Sequence, residues 1–247
     1  VVLDACMMVN LAIQLLWRSY APVTGQAAAL YGVSDLRIGL LSMLFMIAFI
    51  PLSVPVSWAI DTLGFRITVG AGAALMGAFG IMRGLAGSNY AMVFAATVGL
   101  AASQPCLLNA WIKVPALWFP PGERATAVGL VTLANLVGTA AGMVLTPALA
   151  ADVPIPTLQL YYGIFAAACA VAFIAVARER PATPPGEDAG QVRSLMLDGL
   201  RHAFTVPSFR RYLIISFVGL GVFNGVTTWI EAIVWPRGLG DSEAGTV

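Results

Sequence analysis

Seven stretches without a single charged side chain run through this sequence: 19–34, 38–60, 67–82, 84–112, 125–151, 153–177 and 212–230. Nothing else in the chain constrains its fold as much. A helix crosses about 30 Å of hydrocarbon with about 20 residues, at about 1.5 Å each, and most of the stretches are of that size. Charged residues make up only 10% of the 247 and hydrophobic ones 59%, whereas soluble domains carry about a quarter charged residues. The expectation is an all-α membrane protein: in lipid the backbone must bond to itself, and the alternation of a membrane barrel is absent. Spans are predicted at 5–30, 37–59, 67–87, 90–117, 124–150, 157–177 and 212–235. The first is too long, and too polar at Asn10, Gln14 and Arg18, for a cleaved signal peptide.

Several kinds of chemistry are excluded or unsupported. His202 is the only histidine, so a histidine metal site or triad has no basis. Cys6, Cys106 and Cys169 fall inside spans without CxxC spacing and read as small packing residues. No P-loop or Gly-rich nucleotide fingerprint is present. A net charge of +1 without a basic, aromatic-interleaved cluster gives no footprint for nucleic acid. Enzyme activity and cofactors are not expected.

Arginines set the orientation. With the start of the chain inside, the inner segments hold Arg66, Arg124, Arg178, Arg180, Arg193, Arg201, Arg210 and Arg211, against Arg37 and Arg237 outside. The positive-inside bias therefore favours a cytoplasmic N-terminus. Lys113 and Arg83 lie near opposite surfaces and are expected to snorkel. Residues 178–211 form the longest break, a Pro/Gly-rich linker followed by Val192, Leu195, Met196 and Leu200 at the spacing of an interfacial helix. The chain thus divides into a six-helix bundle at 1–177, a cytoplasmic linker at 178–211, a seventh helix at 212–235 and, at 236–247, a connection to an eighth. Val1 is not an initiator Met, so a longer protein is expected.

The peptide SWAIDTLGFR, 57–66, is similar to the motif G-x-x-x-D-x-x-G-x-[R/K] of the major facilitator superfamily: Asp61, Gly64 and Arg66 match, while Ser57 and Phe65 depart. The resemblance implies a major facilitator fold, here the N-terminal six helices plus the first helix of the C-terminal half. It also implies that Asp61 bridges to a helix end in the other half. Residues 30–66, LYGVSDLRIGLLSMLFMIAFIPLSVPVSWAIDTLGFR, together with Gln104, Lys113, WFPPGERATA at 118–127 and LANLVG at 133–138, resemble the feline leukaemia virus subgroup C receptor family and its bacterial relatives. That family implies a choline- or ethanolamine-like solute, enclosed by a Trp on the first helix, which Trp17 matches, and a Tyr on the seventh, where Thr228 stands beside Trp229.

Arg18 is the most informative residue. Counting along the helix puts it roughly 20 Å above the inner surface, where a charge costs about 3 kcal/mol or more. Three readings stand: it binds an anionic group of a solute, it pairs with Glu231, or it tethers backbone carbonyls. A pair with Glu231 could act as a proton-sensitive gate. The amides of Gln14, Gln104, Asn135 and Asn224 fall at mid-depth, where they could bind a polar solute or join helices. The expectation is a secondary transporter of the bacterial inner membrane moving a small organic solute, an anion or zwitterion, by alternating access. The alternatives are a choline-like cation carrier and a non-transporting assembly or receptor protein. The lipid bilayer, the C-terminal half and a coupling proton are the other expected partners.

Overall fold

The computed structural model describes residues 1–179, 204–230 and 233. Its elements are α1 (Val2–Arg18), a 3-10 turn (Ala21–Val23), α2 (Thr24–Tyr31), α3 (Asp35–Thr62), α4 (Phe65–Leu85), α5 (Tyr90–Leu108), α6 (Lys113–Trp118), α7 (Arg124–Ala150), α8 (Ile155–Val176) and α9 (Pro207–Thr228). No strand occurs among the described residues. Among the described residues six helical stretches, α3, α4, α5 through α6, α7, α8 and α9, are long and apolar enough to cross a membrane. The interfacial helix expected around Val192–Leu200 lies outside the described residues.

Two predicted spans are interrupted. The stretch 5–30 is not one helix: α1 ends at Arg18 and the chain turns through Ala21–Val23 before α2. Pro22 has no N–H to return to the carbonyl of Arg18, so the helix cannot continue through it. By itself α1 has 17 residues, about 26 Å, and the turn and α2 extend it. The stretch 90–117 breaks between Leu108 and Lys113, where Pro115 likewise cannot bond to the carbonyl of Trp111.

The core is built around α1, whose Val9, Ala12, Ile13 and Leu16 are fully buried. It packs mainly on α7 and α8, while α4 packs along α8 and α5. Glycine makes the α4–α8 seam possible. A Cβ added at Gly84 would lie 2.3 Å from the Leu160 Cα, and one at Gly163 would lie 2.4 Å from the Gly80 backbone. Small residues of this kind let membrane helices approach backbone to backbone. By contrast α9 is mostly exposed and meets α3 and the 3-10 turn at its far end.

Candidate functional site: the α1–α9 junction

Arg18 closes the last turn of α1 and is 1% exposed. Its guanidinium reaches across to α9, where one Nη donates to Asn224 Oδ1 and the other to Thr228 Oγ1 at 3.4 Å. Asn224 and Thr228 are four residues apart and so share one face of the helix. Asn224 is itself oriented by donating its amide to the Leu220 carbonyl at 2.8 Å. Among the described residues every acceptor of Arg18 is neutral, and its Nε has no partner. The ion pairs among the described residues are those of the N-terminus with Asp4 and of Lys113 with Asp61. Glu231, the expected carboxylate partner or gate, lies outside the described residues.

Trp17 and Arg18 face the same space, although consecutive helical side chains diverge by about 100°. The guanidinium carbon sits 3.9 Å from the indole centroid. The long Arg stem folds back over the ring, a favourable cation–π arrangement. Trp17 is fixed from α3: its Nε1 donates to the Ser42 carbonyl at 2.9 Å, and Phe45 stacks against it at 5.8 Å. Trp229 rests its ring on Gly39 of α3, where an added Cβ would lie 2.6 Å from the indole.

The amides divide. Gln14, one turn before Arg18, donates to Asn135 Oδ1 at 2.9 Å, and Asn135 donates to the Val131 carbonyl. The pair is thus an α1–α7 hydrogen bond, with Gln14 Oε1 left unpartnered. Gln104 is buried on α5 and its Nε2 has no partner, and no hydrogen bond ties it to Arg18. So the structure gathers Arg18, Trp17, Asn224 and Thr228, sets Gln14–Asn135 one turn below, and leaves Gln104 apart.

At the other end of the bundle, Asp61 is paired within the six-helix part of the chain. It accepts from Lys113 Nζ at 2.6 Å, and Lys113 also donates to the Ile60 carbonyl. Lys113 is held by this pair rather than snorkelling. Gly64 has φ +91°, a backbone suited to glycine. Glu179, half-buried beyond the end of α8, caps this turn: its carboxylate accepts from the backbone N–H groups of Phe65 and Arg66 at 3.1 and 2.9 Å. This occupies the positive end of α4. The Arg66 side chain is exposed.

Arg83 overturns its expectation most. It is wholly buried, not directed to a surface, and it holds the end of α1. A sequence signal existed: Arg83 stands three and seven residues after Gly80 and Met76, so it shares their buried face. Neither of two cavities among the described residues touches Arg18. One of about 10 Å³ is lined by Cys6, Asn10, Val69, Leu107, Trp111 and Val131 among others. The second is an open groove between Gln26, Leu30 and residues 150–156.

With six spanning helices and a charged residue held between the first helix and α9, the decisive comparison is the family one. The model of the Major Facilitator Superfamily matches residues 6–246. The chain belongs to this superfamily. It is therefore an integral membrane protein of a transporter family. It is 30% identical over 255 residues to solute carrier family 49 member A3 of Danio rerio, covering 99% of this chain and 54% of that protein. It is 26% identical over 235 residues to the choline/ethanolamine transporter FLVCR1 of Felis catus, covering 88% of this chain and 42% of that protein. The facilitator chain thus spans about half the length of the curated relatives it matches. Its fold is that of a bacterial homolog of the human lysosomal transporter Spinster, solved inward-facing and unoccupied. The TM-score is 0.76 at 16% identity, over 99% of this chain and 57% of that one.

Proposed function

We propose that this chain is the N-terminal half, with the first helix of the C-terminal half, of a secondary transporter that moves a small organic anion or zwitterion. One observation carries the reading: among the described residues Arg18 is buried against neutral oxygens alone. A buried charge without a counter-ion is costly unless something compensates it. A carboxylate or phosphate on the solute supplies that compensation, offering the guanidinium two acceptor oxygens where Asn224 and Thr228 now stand. Solute and α9 then compete for the same two donors. Arrival of the anion releases α9, and its departure restores the contact, which links occupancy to alternating access. Residues 1–177 form the moving N-terminal bundle, 178–211 the linker, and 212–235 the seventh helix. The setting is a bacterial inner membrane with the N-terminus inside.

Glu231 stands three residues beyond Thr228 and is assigned the coupling proton. As a carboxylate it attracts Arg18; protonated, it leaves the guanidinium to the solute. Glu231→Gln is expected to flatten the pH dependence of uptake. An unaltered pH profile removes Glu231 from the mechanism.

The relatives named choline/ethanolamine transporters, with Trp17 at the matching place, favour a second reading, an organic cation carrier. Against it, the indole face already carries the chain's own cation. The test is flux of the full-length protein in proteoliposomes with organic acids and with choline. Arg18→Ala is expected to lower saturable anion uptake roughly ten- to hundredfold, the value of hydrogen bonds to a charged group. Saturable choline flux unaffected by Arg18→Ala would replace this reading with the second. No flux of any solute, with a stable partner co-purifying, would replace it with a membrane assembly protein.

A further inference from the structure

Arg83 is a second buried guanidinium, and the proposed transport cycle leaves it unexplained. It lies in the last turn of α4 and is 1% exposed. Among the described residues no carboxylate pairs with it; the two ion pairs are elsewhere. Its Nη2 donates to the Leu16 carbonyl at 3.0 Å, to Ser19 Oγ at 3.1 Å and to Gln159 Oε1 at 2.6 Å. Its guanidinium carbon lies 5.2 Å from the Tyr20 ring centroid. Ser19 in turn donates from the same Oγ to the Leu16 carbonyl at 3.0 Å, and alternatively to Gln159 at 3.2 Å.

These partners have a pattern. Leu16, Ser19 and Tyr20 flank Arg18 on both sides, and Gln159 belongs to α8, which is locked to α4 along the glycine seam. The last carbonyls of a helix lack intrahelical donors, and Pro22 removes one more candidate. In a buried place no bulk water replaces them. Arg83 supplies a donor and a positive charge at the negative end of α1. From the far side, an added Cβ at Gly142 of α7 would lie 2.8 Å from the Leu15 carbonyl and 3.1 Å from the Arg18 Cβ. The last turn of α1 is thus held between the α4–α8 pair and the α7 backbone. The two arginines divide their bonds: those of Arg83 stay within the bundle, while those of Arg18 go to α9.

We propose that Arg83 is the positioning residue for Arg18: it fixes the broken end of α1 to α4 and α8, so that the Arg18 guanidinium is delivered to α9 and, in the open state, to the solute. This rests on the reading of Arg18 as the solute-binding cation. It makes Arg83 a fixed element of the cycle and Arg18 the exchanging one.

The distance measurement at the centre of the test needs no solute. Nitroxides at Leu30→Cys on α2 and Val226→Cys on α9, both exposed positions, report the α1–α9 junction by pulsed dipolar distance measurement. The full-length protein is used, with Cys6, Cys106 and Cys169 replaced by alanine. Arg18→Ala is expected to lengthen and broaden the distance distribution. Arg83→Gln is expected to do the same, and the double variant to add nothing further. Gln159→Leu, which leaves both arginines in place, is expected to shift it part-way in the same direction and decides the matter if Arg83→Gln does not fold. A folded Arg83→Gln or Gln159→Leu protein with the parent distribution overturns the proposal. So does a double variant whose shift is the sum of the two single ones, because Arg83 then acts independently of Arg18. If instead Arg18→Ala leaves both the distance and anion uptake unaltered, the reading of Arg18 itself fails and the proposal falls with it.

Discussion

Glycine does opposite things in two regions of this protein. Along the α4–α8 seam, Gly77, Gly80, Gly84 and Gly163 bring backbones together so closely that an added Cβ meets main-chain atoms at 2.3–3.1 Å. On α9, Gly219, Gly221 and Gly225 have nothing within 4 Å of that position. The seam is held by continuous ridge contact, which lacks a second arrangement of comparable packing. The α1–α9 junction is held at one end by Asn224, Thr228 and Trp229, a few contacts that can be exchanged. Interhelical polar bonds in membranes are worth about 0.6 kcal/mol on average, little beside a continuous packed seam. Close packing and sparse polar contact thus fall to different helix pairs of one bundle.

Substitutions can break this comparison or sharpen it. The largest effect is expected at Gly163→Leu, which forces a side chain into the Gly80 backbone and should cost about 3 kcal/mol or more. The melting temperature in detergent and the yield of monodisperse protein measure it. A normal melting temperature would mean that the seam yields, and the contrast with α9 would collapse. Next comes Asn224→Ala, which removes one acceptor from a buried guanidinium at a cost of about 1–3 kcal/mol. Its signature is a wider α1–α9 distance with little loss of bundle stability. If the melting temperature falls and the distance stays, the junction is ordinary packing. Smallest is Gly221→Ala: in open space the change should raise helix stability by no more than about 1 kcal/mol. Strong destabilisation there would show that a neighbouring helix covers that face of α9 as tightly as α8 covers α4.

Much of the fold was legible because charge is forbidden in hydrocarbon and its absence marks spans. The runs 38–60, 67–82, 125–151 and 153–177 each became one helix, α3, α4, α7 and α8. The break after Arg18 was less legible, since Pro22 sits inside an uncharged run and a run has no direction or kink. At the junction, Arg18 stood out by its depth, Asn224 by its polarity, and Thr228 only by its place opposite the resembled family's seventh-helix Tyr. That Trp17 and Arg18 share one space was not readable from helical angles, because a flexible stem can turn the guanidinium back over its neighbour. Arg83 was misjudged for a related reason. Depth along a span says how far a charge lies from the surface, while helix face decides whether it meets lipid or the core. The Asp61–Lys113 pair was equally hidden, as its residues stand 52 apart in sequence.

Sequence alone determined that this chain lives in a bilayer, where most of its apolar helices lie, and that a cation at position 18 needs a reason. Local composition suffices for these, because the cost of placing charge in oil is large and acts residue by residue. Tertiary structure decided which partners each guanidinium has. Arg18 and Arg83 are chemically identical, and only the packing of α4 on α8 and the sparse approach of α9 give one of them partners inside the bundle and the other partners on a mostly exposed helix.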